Sequence, residues 1–216
     1  MPLTRKETHM EPLYEEMKKH TKKGALYLMP TQGERRYTTA DIESLPEGRR
    51  AELIAGKMYM MAAPSLNHQV ICVWLSTEIA NYIRSHQGKC RVLPAPFGIF
   101  IKNDEENYLE PDISVICDDS KLDQKGCHGA PDWVIEVASP SSRWTDQHLK
   151  LSVYADAGVR EYWIVDYDSG NITVYRFEDS PKPILYQFTD IVPIGIYGND
   201  TIDFSPLSDE LDRLRP

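Results

Sequence analysis

A glutamate stands in the middle of the most apolar run of this sequence. Glu136 lies within Trp133–Ala138, and the pattern of that run predicts a β-strand buried on both faces. An unpaired carboxylate in a protein core costs on the order of several kcal/mol. A metal ion or a cationic side chain is therefore expected next to Glu136, in a metal site or a buried salt bridge.

A second carboxylate opens another apolar strand. Asp112 follows a proline and precedes the run Ile113–Cys117. If the two strands are neighbours, Asp112 and Glu136 converge on one point. Hard cations such as Mg²⁺ (or Mn²⁺) prefer oxygen ligands, and the backbone carbonyl of Val137 is the natural third ligand. The pattern indicates half of a divalent-metal site.

A lysine follows on the next predicted helix. Lys150 lies beside the sheet-facing position Leu149, so its side chain can cross back over the end of the Glu136 strand. A lysine in that place orients an attacking water or neutralises charge that develops on a phosphate. Asp146 and Lys150 are also an i,i+4 pair of the kind found on any solvated helix. Spacing alone leaves both interpretations open.

The elements that position these residues alternate between helical and strand-like periodicity. The pattern predicts a short helix from Thr38 to about Pro46, then a hairpin of residues 50–55 and 57–62 that turns at Gly56. A long helix, about His68 to Gln87, precedes strands at 90–93, 97–101, 112–117 and 133–138. A helix at about 146–157, a strand at 162–166 and a hairpin of 172–177 with 184–188 follow. This order predicts an α/β fold in which helices pack on a mixed sheet.

Length and composition predict one soluble domain. At 216 residues, with 41% hydrophobic and 26% charged residues, the chain is long enough for one full core. We expect an N-terminal arm at 1–36, a domain at 37–193, and a C-terminal tail at 194–216 that packs on the domain or extends it.

The charge is acidic and uneven. The net charge is −9: residues 1–36 hold eight Lys/Arg and five Asp/Glu, or +3, which leaves 16 against 28, or −12, for the rest. An acidic body argues against tight, nonspecific binding of nucleic acid through bulk charge. It does not exclude an enzyme that meets a polyanion through a bound divalent metal, because the ion reverses the local field.

Short sequence patterns predict the cellular location of the protein and the redox state of its cysteines. The longest apolar stretches fall far below the roughly 18 to 20 residues of a membrane span, and the N-terminus leads into charge and not into a signal sequence. A cytoplasmic protein is expected. Its cysteines, Cys72, Cys90, Cys117 and Cys127, show no metal-binding spacing, so reduced and mostly buried thiols are expected.

Several of these strings together resemble the Uma-two-type family of restriction endonucleases. The matching strings are Pro111–Val115, Ala130–Pro140, Asp146, Lys150, Tyr154–Ala155 and Gly158–Asp166, together with the hairpin Arg50–Met58 and the segment from Ala63 to His68. The resemblance covers about Tyr37 to Phe188.

The resemblance implies a restriction-endonuclease-like fold of the PD-(D/E)XK superfamily, and metal-dependent hydrolysis of DNA that leaves a 5′-phosphate. It assigns Asp112 and Glu136 as metal ligands and Glu52 as an additional acid from the N-terminal hairpin. The superfamily lysine would fall on Ala138, which is not a lysine, so the resemblance moves that role to Lys150. DNA is the implied substrate, and a homodimer suits an enzyme that cuts both strands.

Other residues have a structural interpretation beside the functional one. Without the resemblance, Glu52 is a solvated strand residue, and His68 is an ordinary residue at a helix start. Asp132 is either an acid that supports the site or a residue that begins a strand, with the second favoured. The cluster Arg143, Trp144 and His148 either meets phosphate and stacks a base, or forms a helix start with a half-buried tryptophan.

Two further functions stay open at this level. One is a non-catalytic module that keeps the nuclease fold for binding or assembly. The other is a divalent-metal hydrolase whose substrate is not a nucleic acid. Acids retained in apolar strands favour the nuclease, whereas the negative charge of residues 37–216 argues against DNA as the substrate.

Overall fold

The framework of the protein is a six-stranded mixed β-sheet. A computed structural model describes residues 35–102, 104–139, 142–198 and 200–214; nearly all of the predicted N-terminal arm lies outside these ranges. The strands are β1 (Ala51–Ile54), β2 (Lys57–Met60), β3 (Arg91–Pro94), β4 (Ile99–Phe100), β5 (Ile113–Ile116), β6 (Cys127–His128), β7 (Trp133–Ala138), β8 (Glu161–Asp166), β9 (Asn171–Arg176), β10 (Ser180–Gln187), β11 (Ile191–Ile194) and β12 (Asp200–Asp203). The α-helices are α1 (Thr39–Glu43), α2 (Leu66–Ser85), α3 (Leu151–Ala157) and α4 (Ser205–Arg213).

The main sheet has the order β10-β9-β8-β7-β5-β3. Strands β7 and β8 at its centre are buried along their whole length, as their continuous apolar runs predict. These two strands run parallel, whereas their other neighbours in the sheet pair antiparallel. A parallel pair requires a crossover connection, and here the crossover is the helical segment from Thr145 to Ala157.

Helix α2 covers one face of the sheet. Its buried residues Ile71, Cys72, Leu75, Ile79 and Ile83 recur at helical spacing and join the hydrophobic core. The helix begins at Leu66, where the Ser65 hydroxyl accepts a hydrogen bond from the His68 amide at 3.2 Å. The predicted helix is confirmed, with both ends about two residues earlier than expected.

The strands β1 and β2 form the predicted N-terminal hairpin. Backbone hydrogen bonds between Leu53 and Tyr108, at 2.7 and 2.8 Å, fasten β1 to the segment that leads into β5. All four residues of β1 are buried. The hairpin thereby carries Glu52 into the interior, so the solvated alternative for this residue is wrong.

Two local expectations about secondary structure need correction. The strand expected at 97–101 is reduced to β4, which pairs with β6 outside the main sheet. The helix expected at 146–157 is continuous but begins as a π-helix, Thr145–Lys150, before α3. The apolar spacing of Leu149, Val153 and Ala157 fits both helix types, so it did not reveal the wider turn.

The expectation of four reduced cysteines is wrong, because Cys90 and Cys117 form a disulfide. Strands β3 and β5 pair with Arg91 opposite Ile116, and the same register places Cys90 opposite Cys117. Their separation of 27 residues gave no spacing signal. Cys72 and Cys127 are free and buried, as expected.

The C-terminal segment contributes to the same core. Strands β11 and β12 pair antiparallel, and Phe204, Leu207 and Leu211 are buried against the sheet together with α2 residues. Across the described residues, no helix is both long and apolar enough to cross a membrane.

Candidate active site

Four ionisable side chains meet in the interior beside the end of β7. Lys150 is the centre: its Nζ lies 2.8 Å from Glu52 Oε2, 3.0 Å from Glu136 Oε1 and 3.6 Å from Asp146 Oδ1. All four residues are at most 5% exposed. The structure thus brings together three of the predicted site residues, Glu52, Glu136 and Lys150, and adds Asp146.

Three different elements supply this cluster. Glu52 comes from the hairpin, Glu136 from the central strand β7, and Asp146 and Lys150 from the π-helix. Because the crossover returns over the sheet to begin β8, the π-helix lies above the strand that it has just left. The Asp146–Lys150 pair therefore exists, but it is buried and shared with two glutamates. The solvated alternative for Lys150 is wrong.

Neighbouring polar groups hold the two glutamates in place. The Tyr154 hydroxyl donates to Glu136 Oε1 at 2.7 Å, and the Glu110 amide donates to Glu52 Oε1 at 3.1 Å. Buried carboxylates that accept several hydrogen bonds have few accessible orientations, so these contacts preorganise the acids.

Burial and mutual repulsion shift the proton affinities of the cluster. Desolvation raises the pKa of Glu136 well above its ordinary value, against the attraction of Lys150 and with help from Asp146, Asp112 and Glu52. Desolvation likewise raises the pKa of Asp146. For Lys150, burial alone would lower the pKa, but the surrounding carboxylates outweigh it and raise the pKa well above 10.5. The lysine is a fixed cation at every physiological pH.

Asp112 lies at the start of β5, beside this cluster. The register that pairs Ile113 with Ile135 brings it level with Glu136, and its Oδ2 accepts a hydrogen bond from the Val137 amide at 2.8 Å. The same oxygen lies 3.1 Å from His68 Nε2. The predicted third ligand, Val137, thus lies directly against Asp112, with its amide engaged.

A cleft of about 750 Å³ opens onto these groups. Its lining includes Glu52, Glu136, Lys150, Asp112 and Val137, so all five predicted site residues border one cavity. Tyr59, His68, Pro96 and Tyr167 form part of its walls. A cavity of this size, with buried acids on its floor, is a default location for an active site.

The donor set fits a hard divalent cation. Three buried carboxylates, those of Glu52, Glu136 and Asp146, surround one lysine, and Asp112 interacts electrostatically with Glu136, so carboxylates outnumber the single cation. Asp146 Oδ1 is buried and has no hydrogen-bond partner among the described residues. Oxygen donors with uncompensated charge are what Mg²⁺ or Mn²⁺ require.

The weaker candidates receive structural roles. Asp132 Oδ2 accepts a hydrogen bond from the Cys117 amide at 2.8 Å. This bond links the residue before β7 to the residue after β5. Arg143 is ion-paired with Asp166 at 2.8 Å. Trp144 is 60% exposed and stacks on His148, so the alternative of a half-buried tryptophan is wrong, and a contact of this cluster with phosphate or a base stays a prediction.

Sequence reasoning underrated two residues of the cluster. The sequence offered Asp146 as a surface partner of Lys150 and, like Tyr154, as part of a string that matches the family, but gave neither residue a role in the site. Their signal was spacing: Tyr154 lies four residues after Lys150, so on a helix both face the same side. Only the path of the crossover decides that this side faces Glu136.

Comparison with known proteins identifies the family. The family model described as "Uma2: Putative restriction endonuclease" matches residues 39–195 of this chain. The chain belongs to the Uma2 family. Its match ends within the turn Gly195–Tyr197, so it includes every residue of the charged cluster, whereas α4 lies beyond it.

Two individual proteins are similar to this Uma2 chain. A protein of Synechocystis sp., described as uncharacterized, is 33% identical over 150 residues, which cover 68% of this chain and 77% of the relative. A crystal structure from Anabaena variabilis, described as a "putative nuclease", is 22% identical, covers 79% of this chain and 98% of its own, and has a TM-score of 0.63. The second match shows the fold, which is restriction-endonuclease-like as predicted. Family and fold together support a nuclease.

Proposed function

We propose that the protein is a divalent-metal-dependent endonuclease that hydrolyses DNA phosphodiester bonds. The observation that carries the proposal is the buried excess of carboxylates around one lysine on the floor of an open cleft. Buried charge clusters of this kind are concentrated at functional sites, where the charges are used or are balanced by an ion.

Each residue has a role in this proposal. Asp112, Glu136 and Glu52, with the carbonyl of Val137, hold Mg²⁺ (or Mn²⁺). A divalent ion held by these residues would supply polarisation of a nonbridging phosphate oxygen and a lowered pKa for a water molecule. In the proposed reaction, a water oxygen attacks phosphorus in line and gives its proton to the solvent, while the P–O3′ bond breaks and the 3′-oxygen takes a proton from the solvent, which yields a 5′-phosphate and a 3′-hydroxyl.

The protein's own groups position the reacting atoms. Lys150 orients the attacking water and offsets the negative charge that develops on the phosphate. Its ammonium is available for this role because its raised pKa keeps it charged. Tyr154 fixes the carboxylate of Glu136 through the 2.7 Å hydrogen bond, and Asp146 adds a third carboxylate 3.6 Å from the Lys150 ammonium.

The proposal is tested by cleavage of supercoiled plasmid and of single-stranded DNA with Mg²⁺ or Mn²⁺. We expect metal-dependent nicking by the wild type and a loss of about 100-fold or more in Glu136→Gln and in Lys150→Met, because the first removes a carboxylate that holds the ion and the second removes the cation that acts on the phosphate. Glu210→Gln and Lys102→Met, two exposed sites of the same residue types, serve as matched controls and should cleave like the wild type. Thermal unfolding of every variant separates loss of activity from loss of folding.

Three results would contradict the proposal. Equal nicking by wild type and Glu136→Gln would show that the cluster is not the active site. Absence of metal-dependent nicking by folded wild type at several salt concentrations would favour the non-catalytic module for these substrates. Hydrolysis of a small phosphodiester without DNA cleavage would favour a divalent-metal hydrolase whose substrate is not a nucleic acid. The homodimer and the cytoplasmic location stay predictions.

A further inference from the structure

A second group of metal-ligand side chains lies on the other side of Asp112. His68 Nε2 is 3.1 Å from Asp112 Oδ2, and Cys72 Sγ is 3.5 Å from His68 Nδ1. One ligand atom from each of the three residues lies within 4.8 Å of the other two. The proposed nuclease mechanism uses Asp112 but neither His68 nor Cys72.

The sequence places two of these ligands on one face of a helix. His68 and Cys72 are four residues apart in the first turns of α2, so their side chains stack on the side that faces the sheet. Asp112 approaches from the start of β5 with a carboxylate already fixed by the Val137 amide. Two rigid elements therefore hold the three donors, which favours binding of an ion over a casual contact.

The donor chemistry differs from that of the Lys150 cluster. One thiol, one imidazole and one carboxylate suit a borderline ion such as Zn²⁺, whereas Mg²⁺ prefers oxygen ligands alone. Ligand atoms of a tetrahedral zinc site lie about 3.3 to 3.8 Å apart, given zinc–ligand bonds of about 2.0 to 2.3 Å. Closing the trio around one ion thus requires side-chain shifts of about 1 Å.

Access and coordination number also fit. Cys72 is buried, but the His68 and Asp112 side chains are 13% and 15% exposed and line the cleft, so an ion can enter from there. Three protein ligands leave a fourth position for water or another small ligand, the arrangement of open zinc sites.

We propose that His68, Cys72 and Asp112 form a binding site for Zn²⁺ or a similar thiophilic divalent cation, distinct from the proposed Mg²⁺ site and sharing Asp112 with it. Binding itself does not depend on the nuclease proposal. Its consequence does: a zinc ion that engages Asp112 withdraws this carboxylate from the Mg²⁺ site, so Zn²⁺ inhibits cleavage.

Spectroscopy on the full-length protein without DNA tests the binding. Co²⁺ serves as the probe, because a cysteine thiolate bound to it gives a near-ultraviolet charge-transfer band that oxygen ligands do not give. We expect this band at one Co²⁺ per chain, and its loss when one equivalent of Zn²⁺ is added. The band should be absent in Cys72→Ser and retained in Cys127→Ser, whose thiol is the other free and buried one.

His68→Gln keeps the thiol and removes one ligand. Loss of a group that merely supports a ligand weakens metal sites by about 10- to 100-fold, so we expect at least this loss of Zn²⁺ affinity by calorimetry. A wild type without the band, a band that persists in Cys72→Ser, or equal Zn²⁺ affinity in His68→Gln would each overturn the site.

Inhibition is measured separately, so that the two proposals can fail independently. Each variant's cleavage in Zn²⁺ is divided by its own cleavage without Zn²⁺, with Mg²⁺ in excess. We expect the ratio to fall for wild type and Cys127→Ser and to stay near one for Cys72→Ser. If the protein cleaves DNA but shows no Co²⁺ charge-transfer band, the proposed function stands and the zinc site is overturned. If the band appears but no DNA is cleaved, the zinc site stands and the proposed function is overturned.

Discussion

At the residue scale, the carboxylate of Glu136 is the most informative group. It is 3% exposed and contacts Lys150 and Tyr154, yet burial still raises its pKa, so one lysine does not fully offset desolvation. Without a metal, a proton is the remaining source of positive charge. A proton and Mg²⁺ therefore compete for the carboxylate of Glu136, where we propose that the ion binds.

This competition predicts how stability depends on pH in the absence of metal. A carboxyl whose folded pKa is raised stabilises the folded state fully below its unfolded pKa of about 4.5, and this contribution is lost as pH rises through the folded pKa. We expect the unfolding free energy of the wild type, relative to Glu136→Gln, to fall by up to about 1.4 kcal/mol per pH unit within that window.

Urea unfolding of both proteins in chelator, across a series of pH values, checks this slope. The two proteins differ only at residue 136, so the difference between them isolates the contribution of this carboxyl group. A difference that rises with pH would mean that the attraction of Lys150 exceeds desolvation. Addition of Mg²⁺ should remove the decline if Glu136 holds the ion, since the ion replaces the proton.

At the scale of elements, the crossover between β7 and β8 builds the cluster. A π-helix is an α-helix with a locally wider turn and is frequent at functional sites. Here the wide turn spans both Asp146 and Lys150 and is followed by regular α3, which carries Tyr154. The same crossover thus brings a carboxyl group, an ammonium group and a hydroxyl group close to one carboxylate on the strand beneath it.

The disulfide between β3 and β5 gives a prediction at this scale. It ties the edge strand of the sheet to the strand that begins after Asp112. A cross-link over 27 residues limits the unfolded chain and should contribute about 3.5 kcal/mol, because loop-closure entropy grows with the logarithm of loop length. Reductant should lower the melting temperature by about 10 °C in a chain of this size.

Calorimetry with and without reductant makes the measurement, and the double variant Cys90→Ser, Cys117→Ser is the control. Its melting temperature should be low and independent of reductant. A wild type that melts equally in both conditions would show that the cross-link does not contribute to stability.

At the scale of the whole molecule, an acidic chain carries a cleft that we propose meets DNA. The net charge of −9 repels a polyanion at long range, and the cationic Lys150 is outnumbered by its own carboxylates. On the proposed function, the divalent ion provides the attraction as well as the chemistry. The hydrophobic core continues past the family match at residue 195, through Phe204, Leu207 and Leu211.

A matched pair of leucines tests whether this C-terminal segment is needed for folding. Leu207 is fully buried in the core, whereas Leu214 is 39% exposed. Leu207→Ala should lower the unfolding free energy by about 2 to 5 kcal/mol, because it leaves a cavity, whereas Leu214→Ala should change it by less than about 1 kcal/mol. Chemical unfolding measures both; equal effects would mean that the segment does not stabilise the domain.

Much of the fold could be predicted from the sequence, because periodicity is a local property. The run Trp133–Ala138 indicates a doubly buried strand, and the spacing from Ile71 to Ile83 indicates a helix that packs on a sheet. The same runs identify Glu136 and Asp112 as acids in apolar surroundings. The limits of β4 and the π-turn were not predictable, since short apolar runs fit more than one backbone geometry.

The sequence by itself therefore determined most elements of the main sheet and helix α2, and it identified Glu136 and Asp112 as acids that need a partner, since hydrophobic periodicity is a local property of the chain. Tertiary structure alone decided which partners they have. The register of β3 on β5 joins Cys90 to Cys117, and the path of the crossover turns Lys150 and Tyr154 towards Glu136. The buried position of Asp146 and the His68–Cys72–Asp112 trio arise in the same way. Contacts between residues far apart in the chain depend on how the elements pack, and packing is a property of the whole core.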